Sequence, residues 1–362
     1  MTMKTSAIHA ALLAGLCLAM PAAPAPAQVA TNAPAPVPGA PKVTLERIKV
    51  HSPAIAGNLE GESADRDVIV VLPPSYATNR AKRYPVVYAL HGYSIGAEQW
   101  IGEIHVPQVI EGALAKGAQE MILVFPDSKT IHNGSMYSSS ATTGDFERFI
   151  SHDLIAYIDS HYRTVASPQS RGLVGHSMGG YGAARIGMKH ADQFGALYLM
   201  SPCCLSARDA FALDEAGLAQ IAAVKSPADS ANLPFPLRAQ LAVGAAWSPN
   251  PKKPPLYLDL PGGDEAQRNA ILAKWAANAP LAFVDQYIGA LKGYAAIAMD
   301  VGDQDSLKTD TETLHKVLDS YGIANSFTLY EGTHTSHVAF RFQDHVLPFF
   351  SAHLVSKAGA AR

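Results

Sequence analysis

Short, unbroken apolar runs rich in β-branched residues recur at residues 43–50, 68–72, 86–90, 121–125, 172–175, 196–200, 295–299 and 326–330. Continuous apolar character over so few positions predicts strands buried on both faces. Between them, residues 106–116, 146–162, 178–190, 310–321 and 338–353 carry apolar positions at helical spacing. Ile150, Leu154, Tyr157, Ile158 and Tyr162, for example, fall on one stripe of a helix. Strands alternating with helices predict an α/β fold, a mostly parallel central sheet with helices on both faces. The first two runs have no helix between them and are expected to pair antiparallel.

The alternation breaks between about residues 205 and 278. Helical pieces at 214–224 and 265–275 are interrupted there by Pro227, Pro234, Pro236, Pro249, Pro251, Pro254, Pro255 and Pro261. Proline at that frequency argues against long helices. The stretch is expected to be a mostly helical, Pro-rich lid inserted between two core strands.

The N-terminus follows a different pattern. Lys4, an apolar stretch over residues 7–20 and the small residues Ala25-Pro26-Ala27 give the order of a secretory signal with its cleavage site. The apolar stretch is short of the ~20 residues that a membrane-spanning helix needs. Residues 1–27 are therefore expected to be a removed signal peptide, leaving a periplasmic or secreted protein with no stable membrane span. Residues 28–41, nearly all Ala, Pro and Val, read as an extended linker, and 42–362 as the folded domain. Cleavage would remove Cys17 and leave the adjacent Cys203 and Cys204, either as small apolar residues or as a vicinal disulfide.

Composition narrows the function. Apolar residues make up 48% and charged residues 16% of the 362, so the chain buries a core and is not disordered. A net charge of −3 with no block of Lys or Arg gives no electrostatic reason to expect nucleic acid or an anionic membrane as partner. No Cys/His spacing fits a zinc site, and the chemistry below needs neither metal nor organic cofactor.

That chemistry centres on Gly175-His176-Ser177-Met178-Gly179, placed between an apolar strand and a helical segment. A turn this tight leaves no space for Cβ atoms two positions either side of the serine, hence the glycines. It would hold the Ser177 hydroxyl at the carboxyl edge of the sheet, over a helix N-terminus that favours negative charge. A serine nucleophile needs a base oriented by an acid, here in the chain order serine, acid, histidine. The run at 295–299 leads into Asp300, Asp303 and Asp305, and the run at 326–330 leads into His334 and His337. Asp305 is preferred as the acid over Asp303, with Asp300 capping its turn. His334 is preferred as the base over His337, which starts the last helix. An oxyanion requires two preorganised N–H donors. Met178, next to the nucleophile, supplies one, and Tyr93 in the loop Leu90-His91-Gly92-Tyr93 the other. His91 and His176 read as structural. Trp100, Met136 and Tyr137 are candidates for the wall of an acyl or aryl pocket.

Together these residues resemble the esterase D and antigen 85 branch of the α/β-hydrolases, which also holds feruloyl esterase and S-formylglutathione hydrolase domains. The resemblance runs from about Tyr84 to Leu354. It is carried by His91-Gly92-Tyr93 followed by Trp100, by Pro126-Asp127, Gly134-Ser135-Met136-Tyr137 and the serine turn. Gly302-x-x-Asp305 and His334, ahead of a closing helix near Pro348-Phe349-Phe350, complete it. It implies the α/β-hydrolase fold, a Ser177-His334-Asp305 triad, an oxyanion hole at Tyr93 and Met178, and a small-molecule ester as substrate. The expected reaction is ester hydrolysis through an acyl-enzyme. Acyl transfer of the antigen 85 type and thioester hydrolysis are the rival chemistries, and a non-catalytic binding protein the rival class.

Overall fold

The computed structural model describes residues 29–206 and 213–356. The expected signal peptide lies outside the described residues. Eight strands form one sheet: β1 (Thr44–His51), β2 (Asp65–Leu72), β3 (Val86–Leu90), β4 (Ile122–Pro126), β5 (Arg171–His176), β6 (Ala196–Met200), β7 (Ala296–Gly302) and β8 (Ser326–Tyr330). Their order is β1-β2-β4-β3-β5-β6-β7-β8. β1 and β2 pair antiparallel, β2 meets β4 antiparallel, and every other pairing is parallel. The central strands are buried throughout, whereas β8 is exposed or half-exposed along its length and β1 has one buried residue, because these two are the edges.

Alternation within the buried strands builds two cores. Val86, Tyr88 and Leu90 of β3 face one side, with Tyr181, Ile186 and Leu314. Val87 and Ala89 face the other, with Trp100, Phe342 and Phe350. Since successive strand residues point to opposite faces, both registers must be apolar when helices cover both sides.

Helices α1 (Ala97–Glu103), α2 (Val106–Ala115), α3 (Leu154–His161) and α4 (Met178–Lys189) connect the first six strands. The insertion between β6 and β7 contributes α5 (Glu215–Ala222), α6 (Phe235–Trp247) and α7 (Glu265–Ala277). After β7 come α8 (Lys308–Ser320), α9 (Val338–Arg341) and α10 (Leu347–His353). The expected helical pieces of the insertion appear as α5 and α7, whereas α6, a further helix of 13 residues, departs from expectation. Pro234 and Pro236 sit at the start of α6, where a missing N–H costs no intrahelical bond.

Residues 29–41 do not form the free linker that their composition suggests. Val29 is buried and its N–H donates to Glu103 Oε2 at 2.6 Å, while Asn32 N–H donates to the Ser336 carbonyl at 2.9 Å. Proline-rich backbone keeps its carbonyls free, and here α2 and the loop before α9 use them: Gln108 donates to Pro34 O and Thr335 to Ala30 O. Among the described residues no helix is long and apolar enough to cross a membrane, and no three His, Cys, Asp or Glu side chains gather as a metal site.

Candidate active site

β5 ends at His176 and α4 begins at Met178, so Ser177 occupies the single-residue turn between them with φ 58° and ψ −115°. A non-glycine residue is costly there and persists only when its surroundings dictate it. The surroundings are backbone. A Cβ on Gly175 would stand 2.0 Å from the Gly179 carbonyl oxygen, and a Cβ on Gly179 the same distance from that of Leu90. Both glycines are thus forced by the approach of three chain segments.

His334, on the loop after β8, places Nε2 2.9 Å from Ser177 Oγ. Its Nδ1 lies 2.7 Å from Asp305 Oδ2, on the loop after β7. The carboxylate accepts only, so Nδ1 carries the hydrogen and Nε2 accepts from the serine. Asp305 is buried, and its other oxygen accepts the Leu307 N–H at 3.0 Å. Burial works to raise the Asp305 pKa, yet the hydrogen bond and charge of His334, with the Leu307 N–H, hold it below the usual aspartate value. The acid therefore stays ionised beside the imidazole. His334 itself is a third exposed at its side chain (36%), bordering a depression lined by Gln304, Ser306, Leu307 and Thr333.

The competing residues lie elsewhere. Asp303 is exposed and accepts the Gly332 N–H at 3.0 Å. Asp300 caps no turn. It is fully buried, and its Oδ2 accepts from Arg341 Nε at 2.8 Å and from Tyr198 OH at 2.7 Å, tying the end of β7 to α9. His337 bonds to Ser336 Oγ at 2.9 Å and packs on Tyr330, away from the serine.

Opposite His334, the loop after β3 abuts the nucleophile: a Cβ on Gly92 would lie 3.5 Å from Ser177 Cβ. The N–H groups of Tyr93 and Met178 donate to no acceptor among the described residues, Met178 being the first residue of α4. His91 is fully buried, its Nδ1 bonding the Gly92 carbonyl and its Nε2 accepting Ser128 N–H, both at 2.8 Å. Burial lowers its pKa, so this neutral imidazole braces the loop. His176 is also buried, with a pKa lowered to about 3 by burial and by the neighbouring His334.

Three pocket candidates are corrected. Trp100 has no exposure and packs edge-on against Phe125 and Phe342 in the core on the other face of the sheet. Tyr137 is likewise fully buried, stacked on Gly182 of α4 with its hydroxyl donating to the His91 carbonyl at 2.9 Å. Met136 is 3% exposed, in the same core as Tyr137. Aromatic residues near a site in sequence here fill the supports beneath it. The exposed aromatic that does adjoin the site is Phe235, 60% exposed at the start of α6, whose ring meets that of Tyr93 edge-on at 5.4 Å. Nothing in its local sequence distinguishes it from a core residue.

The strand order, the strained serine turn and the loops that bring His334 and Asp305 to it define an α/β-hydrolase. Solved structures share this fold: a ferulic acid esterase matches with TM-score 0.61 and 24% identity over 86% of this chain and 99% of its own. The fluorophosphonate-binding serine hydrolase F of Staphylococcus aureus matches with TM-score 0.57 and 15% identity over 86% and 98%. The chain belongs to the family described as "Putative esterase", which matches residues 62–359. Curated relatives align over shorter stretches. An endo-1,4-beta-xylanase/feruloyl esterase of Xylanibacter ruminicola is 26% identical over 36% of this chain and 19% of its own length. An esterase of Mycobacterium tuberculosis is 31% identical over 35% and 27%. The matched region thus spans less than a third of either relative.

Proposed function

We propose that the chain is an exported serine hydrolase that cleaves carboxylic esters through an acyl-enzyme on Ser177. The observation that carries this reading is the continuous relay from Ser177 Oγ to His334 Nε2 at 2.9 Å and from His334 Nδ1 to Asp305 Oδ2 at 2.7 Å. Ser177 Oγ attacks the ester carbonyl as His334 takes its proton; the imidazolium is stabilised by ionised Asp305. The tetrahedral oxyanion sits between the Tyr93 and Met178 N–H groups, with the N-terminus of α4 adding its dipole. His334 then protonates the leaving alcohol and afterwards takes a proton from water, which releases the acid and restores Ser177.

An aryl-acyl ester is the substrate class favoured, because Phe235 presents an exposed ring beside Tyr93 and two of the relatives described above are named for feruloyl or ferulic acid esters. The stretch around Phe235 then acts as a lid. Export rests on the signal pattern of residues 1–27. The test is turnover of p-nitrophenyl esters with and without Ser177→Ala. A burst of one p-nitrophenol per chain, and a loss of at least about 10⁴-fold in kcat in the variant, are expected. Wild-type turnover in Ser177→Ala would remove the assignment.

A further inference from the structure

Beside the nucleophile lies a pair of thiols that ester cleavage does not use. Cys203 and Cys204 follow β6 by way of Ser201 and Pro202, and the Cys203 N–H donates to the Ser177 carbonyl at 3.1 Å. In an extended chain neighbouring side chains point to opposite faces, which would keep two adjacent thiols apart. Here Ser201 (φ 40°) and Cys204 (φ 59°) are both left-handed, and the turn they make brings the two Sγ atoms to 2.7 Å. Both cysteines are half-buried and unlinked. Left-handed backbone at a cysteine is unfavourable, so the contact is built into the loop rather than a default of sequence adjacency.

We propose that Cys203 and Cys204 form a reversible two-electron redox site, oxidised by small or protein disulfides, whose closure slows turnover at Ser177. The thiolate of one cysteine attacks a sulfur of the oxidant disulfide and expels one thiol. The second cysteine attacks the mixed disulfide and expels the other. Two S–H bonds of the chain and the S–S bond of the oxidant are consumed. One Cys203–Cys204 bond forms, and the oxidant leaves as two thiols carrying both electrons and both hydrogens.

Reversibility follows from chain geometry. Adjacent Cα atoms are held about 3.8 Å apart by the peptide bond, whereas unstrained disulfides span roughly 4.4–6.8 Å. The ring is strained and readily reduced by thiols. Its reach to catalysis follows from the Cys203 N–H. Closing the ring turns the backbone angles at the Cys203 Cα, and so disturbs the Cys203 N–H that holds the Ser177 carbonyl. Ser177 keeps its outlying φ only while such contacts persist.

The kinetic half rests on the esterase reading; the chemical half does not. The tryptic peptide from residue 190 to 208 contains both cysteines and no other. The folded, reduced enzyme is incubated with glutathione disulfide, and peptide mass and p-nitrophenyl acetate turnover are followed together. A loss of about 2 Da, for the two hydrogens, and a several-fold fall in kcat are expected. Both should reverse with dithiothreitol and be absent in Cys204→Ser. A peptide that keeps both thiols, that retains a glutathione adduct, or that closes with unchanged turnover overturns the proposal. A reduced enzyme with no turnover at all refutes the esterase reading instead, and the peptide mass still decides whether the redox site exists.

Discussion

His176 donates its Nε2 hydrogen to the backbone carbonyl of His334 at 2.9 Å, and the two rings lie 4.8 Å apart, tilted by 37°. The residue preceding the nucleophile therefore fastens the loop that carries the base. A carbonyl can only accept, so the Nε2 tautomer is required, and a pKa lowered to about 3 keeps the imidazole neutral across the working range. The serine turn and the base loop are thus coupled by one neutral hydrogen bond.

Replacing that donor should separate binding from chemistry. His176→Phe keeps the ring volume and removes the hydrogen bond, so His334 loses its anchor without losing its partners. The expected result is a kcat lower by roughly 10-fold with KM nearly unchanged, since small misplacements of a catalytic group are costly. Steady-state kinetics on p-nitrophenyl acetate checks it. An equal change in KM and none in kcat would place His176 in substrate binding.

The same residue makes a pH prediction. In the folded chain burial lowers the His176 pKa from 6.5 to about 3, so below pH 6.5 the unfolded chain takes up a proton that the native one does not. Its contribution is complete above the unfolded value and is lost as pH falls toward the folded one, at about 1.4 kcal/mol per pH unit. Buried His91, also lowered, acts in the same direction. Between pH 6.5 and 5, above the usual range of the carboxylates, urea midpoints of the wild type should fall more steeply than those of His176→Phe. Parallel slopes would show that His176 is not held neutral.

The two glycines of the serine turn and the placement of His334 and Asp305 were legible because each is dictated by backbone: a Cβ would collide at 2.0 Å, and loops after parallel strands share one edge of the sheet. Strand positions were legible for the same reason, since both registers of β3 are apolar. Trp100 was misread because an aromatic on a short amphipathic helix looks alike whether it faces a cleft or, as here, Phe125 and Phe342. The helix α6 was hidden by Pro234 and Pro236, which counted as breakers although they stand where a helix tolerates them. The docking of residues 29–34 left no apolar signature, because most of its contacts are hydrogen bonds to backbone carbonyls and amides.

Phe235 supplies a specificity prediction. Its ring stands edge-on to Tyr93 yet is 60% exposed, an arrangement that leaves an aromatic face for a bound acyl group. An edge-to-face contact is worth about 1 kcal/mol beyond area burial. Phe235→Ala should therefore raise KM for hydroxycinnamoyl esters by roughly fivefold and leave acetyl ester turnover within twofold. A uniform loss on both substrates would indicate that Phe235 supports the Tyr93 loop instead.

The strap formed by residues 29–34 should act on the base through its loop. Asn32 N–H donates to Ser336 O at 2.9 Å, Thr335 Oγ1 to Ala30 O at 3.1 Å, and Ala339 N–H to Thr31 Oγ1 at 3.2 Å, all within five residues of His334. His176 holds His334 from below and the strap holds the residues that follow it. Asn32→Pro removes the N–H while leaving the chain extended, as the neighbouring prolines already require. Asn32→Ala keeps the N–H and is the control. The proline variant should lose several-fold in kcat, with a melting temperature within a few degrees of wild type, because one exposed-edge hydrogen bond contributes only about 1 kcal/mol. The alanine variant should match wild type in both. If the two variants behave alike, the backbone contact to Ser336 does not position the base, and the strap merely covers α1 and α2.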